Sequence, residues 1–153
     1  MAYDIMRIEP LNINEVEKVS EICQKCINEI NTKNLTRNQV EILLNEFSVD
    51  GVILNSKKFR VYVAKNENKE IIGTGTLANN KIKGVFVDIE YFGLGVGKAI
   101  MAVLENSAKE LGYEKTRLTS SKYARNFYLK LGYKKIKTID SIVGEMTEFE
   151  KAI

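Results

Sequence analysis

Val85-Phe86-Val87-Asp88-Ile89-Glu90-Tyr91-Phe92-Gly93-Leu94-Gly95-Val96-Gly97-Lys98-Ala99-Ile100-Met101 is the stretch whose reading decides the fold. An apolar, β-rich run enters a short loop with glycine at every second position, and the loop opens into residues spaced as on an amphipathic helix. Closely spaced glycines let the backbone bend and turn its N–H groups outward, and the first helical turn adds unpaired donors and the positive end of its dipole. Such a nest suits a phosphate. A Walker A loop is excluded, because Phe92 stands where its first glycine belongs and Ala99 where its magnesium-binding hydroxyl belongs. A Rossmann fingerprint is excluded too: Lys98 replaces its third glycine, and Arg117-Leu118-Thr119-Ser120 supplies no ribose-binding acid. The remaining alternative, a glycine turn that binds nothing, fits poorly with a strand, three glycines and a helix start in one run.

A second stretch narrows the choice. Lys115-Thr116-Arg117-Leu118-Thr119-Ser120-Ser121 reads as a strand, and Ala124-Arg125-Asn126-Phe127-Tyr128-Leu129-Lys130-Leu131-Gly132-Tyr133 gives AxxFYxKxGY. In order and separation the two motifs resemble the GCN5-related N-acetyltransferase (GNAT) superfamily, well over residues 59–133 and more loosely toward both ends. The resemblance implies that the loop matching Q/RxxGxG/A, residues 90–95, wraps the pyrophosphate of acetyl-coenzyme A. It also implies that strands at 82–87 and 116–120 splay, so that the pantetheine arm enters between them and pairs with the backbone of Phe86, Val87 and Asp88. Tyr128 then stands beside the thioester sulfur. Glu90, Phe92 and Ser121 depart from the family pattern, which usually has Gln or Arg, Arg, and Asn at these places.

The composition is that of one globular domain, residues 1–153, with 44% apolar and 28% charged residues. Twenty-three Lys and Arg against 20 Asp and Glu are interspersed, so a net charge of +3 offers no stripe for nucleic acid. The first residues hold no apolar signal core and no run reaches membrane-span length, so the expectations are a cytoplasmic location and no membrane partner. Cys23 and Cys26 form a CxxC with no third cysteine and no histidine in the chain. They recur with Val16, Val19, Ile27 and Ile30 at helical spacing, which reads as core packing and not as a metal or redox site. No metal is expected.

Taken in order, residues 3–9 read as a strand with Ile5 and either Met6 or Ile8 inward, closed by Pro10. Asn14 with Glu17 reads as a helix cap, and the helix runs to about Asn31; Thr36 with Gln39 starts a second. Asp50-Gly51 reads as a turn, with residues 52–57 either helix or apolar loop. A three-stranded meander from residue 59 to 87 follows, and then a helix burying Val96, Ile100, Val103, Leu104 and Leu111 and ending at Gly112. A crossover strand, a short helix from 124 to 131 and a final strand pair at 134–139 and 143–151 complete the chain. The expected class is α/β (α+β): a mixed, mostly antiparallel sheet of six to seven strands with about four helices and one splayed parallel pair.

Acetyl transfer to an amine needs a held donor, a neutral amine, an oxyanion site and a proton for the departing thiolate. The expected coenzyme-binding set is Phe86, Val87, Asp88, Gly93, Leu94, Gly95, Val96, Gly97, Lys98, Ser121, Asn126 and Tyr128. Tyr128 is the expected general acid, a backbone N–H near Val87 the oxyanion donor, and Asp88, or water held by it, the base, with Glu90, Tyr62 and Glu148 as alternatives. Glu46, Asp50 and Asp88 are acids suited to a cationic amine, in a region bounded by the first two helices and residues 48–58. The acceptor is a small-molecule or protein amine, and a homodimer is compatible with the resemblance. The competing reading is a non-catalytic module that binds coenzyme A or a protein partner.

Overall fold

The computed structural model describes residues 6–30 and 35–153. Among these residues seven strands form one sheet in the order β1-β2-β3-β4-β5-β7-β6. They are β1 (Arg7–Pro10), β2 (Arg60–Lys65), β3 (Ile71–Ala78), β4 (Lys81–Val87), β5 (Lys115–Ser121), β6 (Lys134–Ser141) and β7 (Gly144–Ala152). Among the described residues only the β4–β5 pair is parallel, as a crossover connection requires. The described helices are α1 (Val16–Ile30), α2 (Arg37–Glu46), α3 (Val49–Lys58), α4 (Val96–Glu110) and α5 (Arg125–Lys130).

Both faces of the sheet are covered, which explains why β3 reads as an unbroken apolar and small-residue run. On one face α1 buries Val16, Val19, Ile22, Cys23 and Cys26 against Val63 and Ile71, and both thiols are free. On the other, α4 buries Ile100, Met101 and Leu104 over Leu77, Ile82, Leu118 and Phe149. Gly73 and Gly75 set how low α4 lies: a Cβ on either would meet Ile100 at 2.9 and 2.7 Å. That close seating carries the N-terminus of α4 to the end of β4.

Several local expectations need correction. The first cap is Asn12, not Asn14: the Asn12 N–H donates to Glu15 Oε1 at 2.8 Å, and a short 3-10 turn precedes α1. Asp50-Gly51 lies inside α3 because Ser48 caps that helix, its hydroxyl accepting from the Gly51 N–H at 3.2 Å. Gly51 serves approach and not turning, since a Cβ there would lie 2.1 Å from the Glu46 carbonyl oxygen. Leu111 is exposed, for it caps α4 after the last inward turn, and Met101 is buried in its stead. Thr36 and Gln39 form the expected reciprocal cap of α2. Ile5 and the end of α1 at Asn31 lie outside the described residues.

Candidate active site

β4 and β5 are in register only at Lys81–Arg117 and Ile82–Leu118. Beyond that point β5 follows β7 from Lys115–Ala152 to Ser121–Met146, while β4 stays with β3 as far as Gly73–Val87. The cause of the parting is a bulge that the sequence reading missed. Thr74 pairs with Phe86 and Thr76 with Lys83, so Gly75 faces both Gly84 and Val85, and Gly84 adopts φ +61°. A glycine in that conformation bends the strand and raises its twist. The signal was a lone glycine inside a strand pattern.

The bulge also fixes where the backbone points. The Asp88 N–H bonds the Ile72 carbonyl at 2.8 Å, so by antiparallel alternation Val87, the next residue inward, turns its own N–H and C=O to the opposite edge. That edge faces the gap. The Val87 carbonyl accepts from the Cys26 thiol at 3.1 Å. Burial, with Asp88 nearby, raises the Cys26 thiol to about 11, so it stays a neutral donor.

At the end of β4 the loop supplies the nest. Gly93 and Gly95 have φ of +75° and +84°, and a Cβ on either would meet nothing within 4 Å, so both are glycine for conformation alone. Gly97 is glycine for space: its Cβ would lie 3.1 Å from the Phe127 ring. The helical ladder of α4 begins with the Ala99 N–H bonding the Gly95 carbonyl at 3.1 Å, which leaves the N–H groups of Val96, Gly97 and Lys98 ahead of it, and no side chain caps that end. Among the described residues nothing claims these donors, and they fit an anionic diphosphate.

A cleft of about 650 Å³ joins the nest to the gap. Of the expected residues it is lined by Phe86, Val87, Gly93, Gly95, Val96, Gly97, Lys98, Ser121 and Tyr128. Three stand apart. Leu94 and Asn126 are exposed outside the lining, and Asp88 turns its Oδ1 to the Glu90 N–H at 3.2 Å and to Lys25 at 3.7 Å. Glu90 is likewise exposed and outside the lining, whereas Phe92 borders the cleft. Neither alternative base lines it: the Tyr62 hydroxyl is 3.0 Å from Ser107 Oγ, and Glu148 pairs with Lys137 at 3.8 Å. Residues 48–58 are also absent from the lining, since α3 packs against α1 and β2.

Tyr128 sits on α5, held edge-on by Phe127 and Tyr133 at ring separations of 5.0 and 5.9 Å. It is buried, yet it lines the cleft, and among the described residues its hydroxyl has no hydrogen-bond partner. Burial pushes its phenol well above the ordinary tyrosine range, so it is a protonated donor at neutral pH. Sequence reasoning missed Cys26 and Phe47 of the lining; Phe47 stacks edge-on with Phe86 at 4.9 Å and would touch a Cβ on Gly84 at 3.0 Å.

Residues 29–142 match the family model described as the acetyltransferase (GNAT) domain. Among solved structures, a GCN5-related N-acetyltransferase from Rhodopseudomonas palustris superposes with a TM-score of 0.85 at 18% identity, covering 96% of this chain and 95% of that one. The PaiA N-acetyltransferase of Thermoplasma acidophilum, solved in complex with coenzyme A, gives 0.80 at 18% identity over 97% and 99%. A putative acetyltransferase of Salmonella typhimurium, solved with acetyl-CoA, gives 0.69 at 17% over 96% and 93%. No curated protein matches the sequence at a significant level.

Proposed function

Because the chain belongs to the GNAT acetyltransferase domain family, we propose that it transfers an acetyl group from acetyl-CoA to a primary amine by direct attack of the amine on the thioester. The parting of β4 from β5 above an uncapped helix start carries this reading, since it leaves a slot beside a phosphate-sized nest. In that slot the N–H groups from Gly93 to Lys98 hold the diphosphate, with the Lys98 ammonium beside it. The outward N–H and C=O of Val87 pair with the pantetheine amide, or the N–H receives the oxyanion. The acceptor nitrogen forms a bond to the acetyl carbon, the C–S bond breaks, and sulfur leaves with the proton of Tyr128. The proton lost by the amine returns to the phenolate through solvent, which closes the cycle.

Asp88 takes a positioning role in this proposal and not that of a base. Its carboxylate is engaged with the Glu90 N–H and Lys25, which holds the end of β4 in place. The test is release of free thiol from acetyl-CoA across a panel of amines. Amine-dependent release that falls in Tyr128→Phe with coenzyme binding retained supports transfer; coenzyme binding without any release supports the non-catalytic module.

A further inference from the structure

The acceptor half of the cleft has a charge layout that selects among amines, and this inference rests on the transferase reading above. Phe47 packs over the Gly84 bulge and edge-on against Phe86, and the adjoining Glu46, an exposed residue, lines the cleft. Glu46 is the one carboxylate in the cleft lining among the described residues. Ile30, Leu43, Phe86, Val143 and Met146 give the same cleft apolar walls. Lys81 lines the same cleft three residues before Gly84, about 10 Å away along the strand at ~3.3 Å per residue. Neither Glu46 nor Lys81 has a hydrogen-bond or ion-pair partner among the described residues. Lys83, by contrast, is tied to Asn55 Oδ1 at 3.3 Å and lies over the Phe59 ring. Lys81 stands at the start of β4, in register with Arg117 of β5.

An unpaired ammonium on a residue that lines a cleft favours an anion and repels a second amine. We infer that the acceptor is a small amphoteric molecule: a primary amine received at Glu46, an apolar spacer against Leu43, Phe47 and Met146, and an anionic group at Lys81. Polyamines are disfavoured, because one acid cannot neutralise several ammonium groups and Lys81 opposes the far one.

The experiment measures thiol release from acetyl-CoA with three amines of equal chain length, ε-aminohexanoate, hexylamine and hexamethylenediamine, in wild type and in Lys81→Glu, alongside thermal unfolding with and without coenzyme A. The wild type should prefer aminohexanoate over the diamine by about tenfold in kcat/KM, the scale of one charge-assisted contact, with hexylamine between them. Lys81→Glu should reverse that order. A wild-type preference for the diamine, or a ranking that Lys81→Glu leaves in place, overturns the inference. No turnover of any of the three, with coenzyme A still raising Tm, also overturns it and leaves the coenzyme reading standing; no rise in Tm brings down both.

Discussion

Replacing Gly95 by alanine separates the cost of a strained loop from the loss of a phosphate site, provided Gly112→Ala is made beside it. Both glycines have left-handed φ, +84° and +92°, and a Cβ on either would meet nothing within 4 Å. Each substitution therefore carries the same conformational penalty, about 1 kcal/mol for a non-glycine residue in that region, without a steric one. For a domain of this size that lowers Tm by about 2–4 °C per kcal/mol. The two positions differ in function: Gly95 precedes the free N–H groups of α4, whereas Gly112 ends that helix away from the cleft. An alanine at 95 relieves its strain by rotating the neighbouring peptides, which withdraws at least one N–H from the diphosphate. A hydrogen bond to a charged group is worth about 1.5–3 kcal/mol, so Kd for coenzyme A should rise about tenfold to a hundredfold. Calorimetric titration gives Kd and thermal unfolding gives stability. Equal destabilisation with equal coenzyme affinity in the two variants would refute the assignment of the nest.

Three further outcomes follow from the structure. If Tyr128 protonates the thiolate as proposed, Tyr128→Phe should lower kcat by about a hundredfold or more, and because burial raises the phenol's pKa, wild-type kcat should show no tyrosine limb through pH 10. In Glu15, partial burial pushes the carboxyl up, but the bonds from Lys65 and from the Asn12 N–H outweigh it and hold the group below its usual value. Its stabilisation is thus complete above the unfolded carboxylate range and lost as pH falls through the folded value. Glu15→Gln should therefore cost about 1 kcal/mol in urea unfolding at pH 7, and the difference should vanish in acid. Gly51→Ala should cost about 3 kcal/mol or more, since its Cβ would meet rigid backbone, the Glu46 carbonyl; a loss under 1 kcal/mol would mean that α2 and α3 are less tightly joined than the structure has them.

The parts of the fold legible in the sequence were those set by local chemistry. Thr36 and Gln39 announce α2 because the cap is made by the two residues themselves, and the polar run at 66–69 announces its turn because Asn66 Oδ1 binds the N–H groups of Asn68 and Glu70. The cysteines of α1 are legible as core because helical spacing alone puts them inward. Misreadings occurred where a residue answers to a distant neighbour. Asp50-Gly51 looks like a turn, but Gly51 is small on account of Glu46 across the α2–α3 junction. The bulge at Gly84 depends on which residue of β3 lies opposite, and so do the parting of β4 from β5 and the direction of Val87. Within the site, the glycine loop and Tyr128 were readable as motif. Asp88 was placed by proximity in sequence to the strand end, and its side chain turned instead to a local N–H and a lysine of α1.

Amide hydrogen exchange, read residue by residue with and without coenzyme A, tests the central claim most directly. The N–H groups from Gly93 to Lys98, together with that of Val87, should slow on binding, because a diphosphate and an amide-bearing arm take up donors that now face open space. Unchanged exchange at these positions under saturating coenzyme, or protection confined to other parts of the chain, would contradict it.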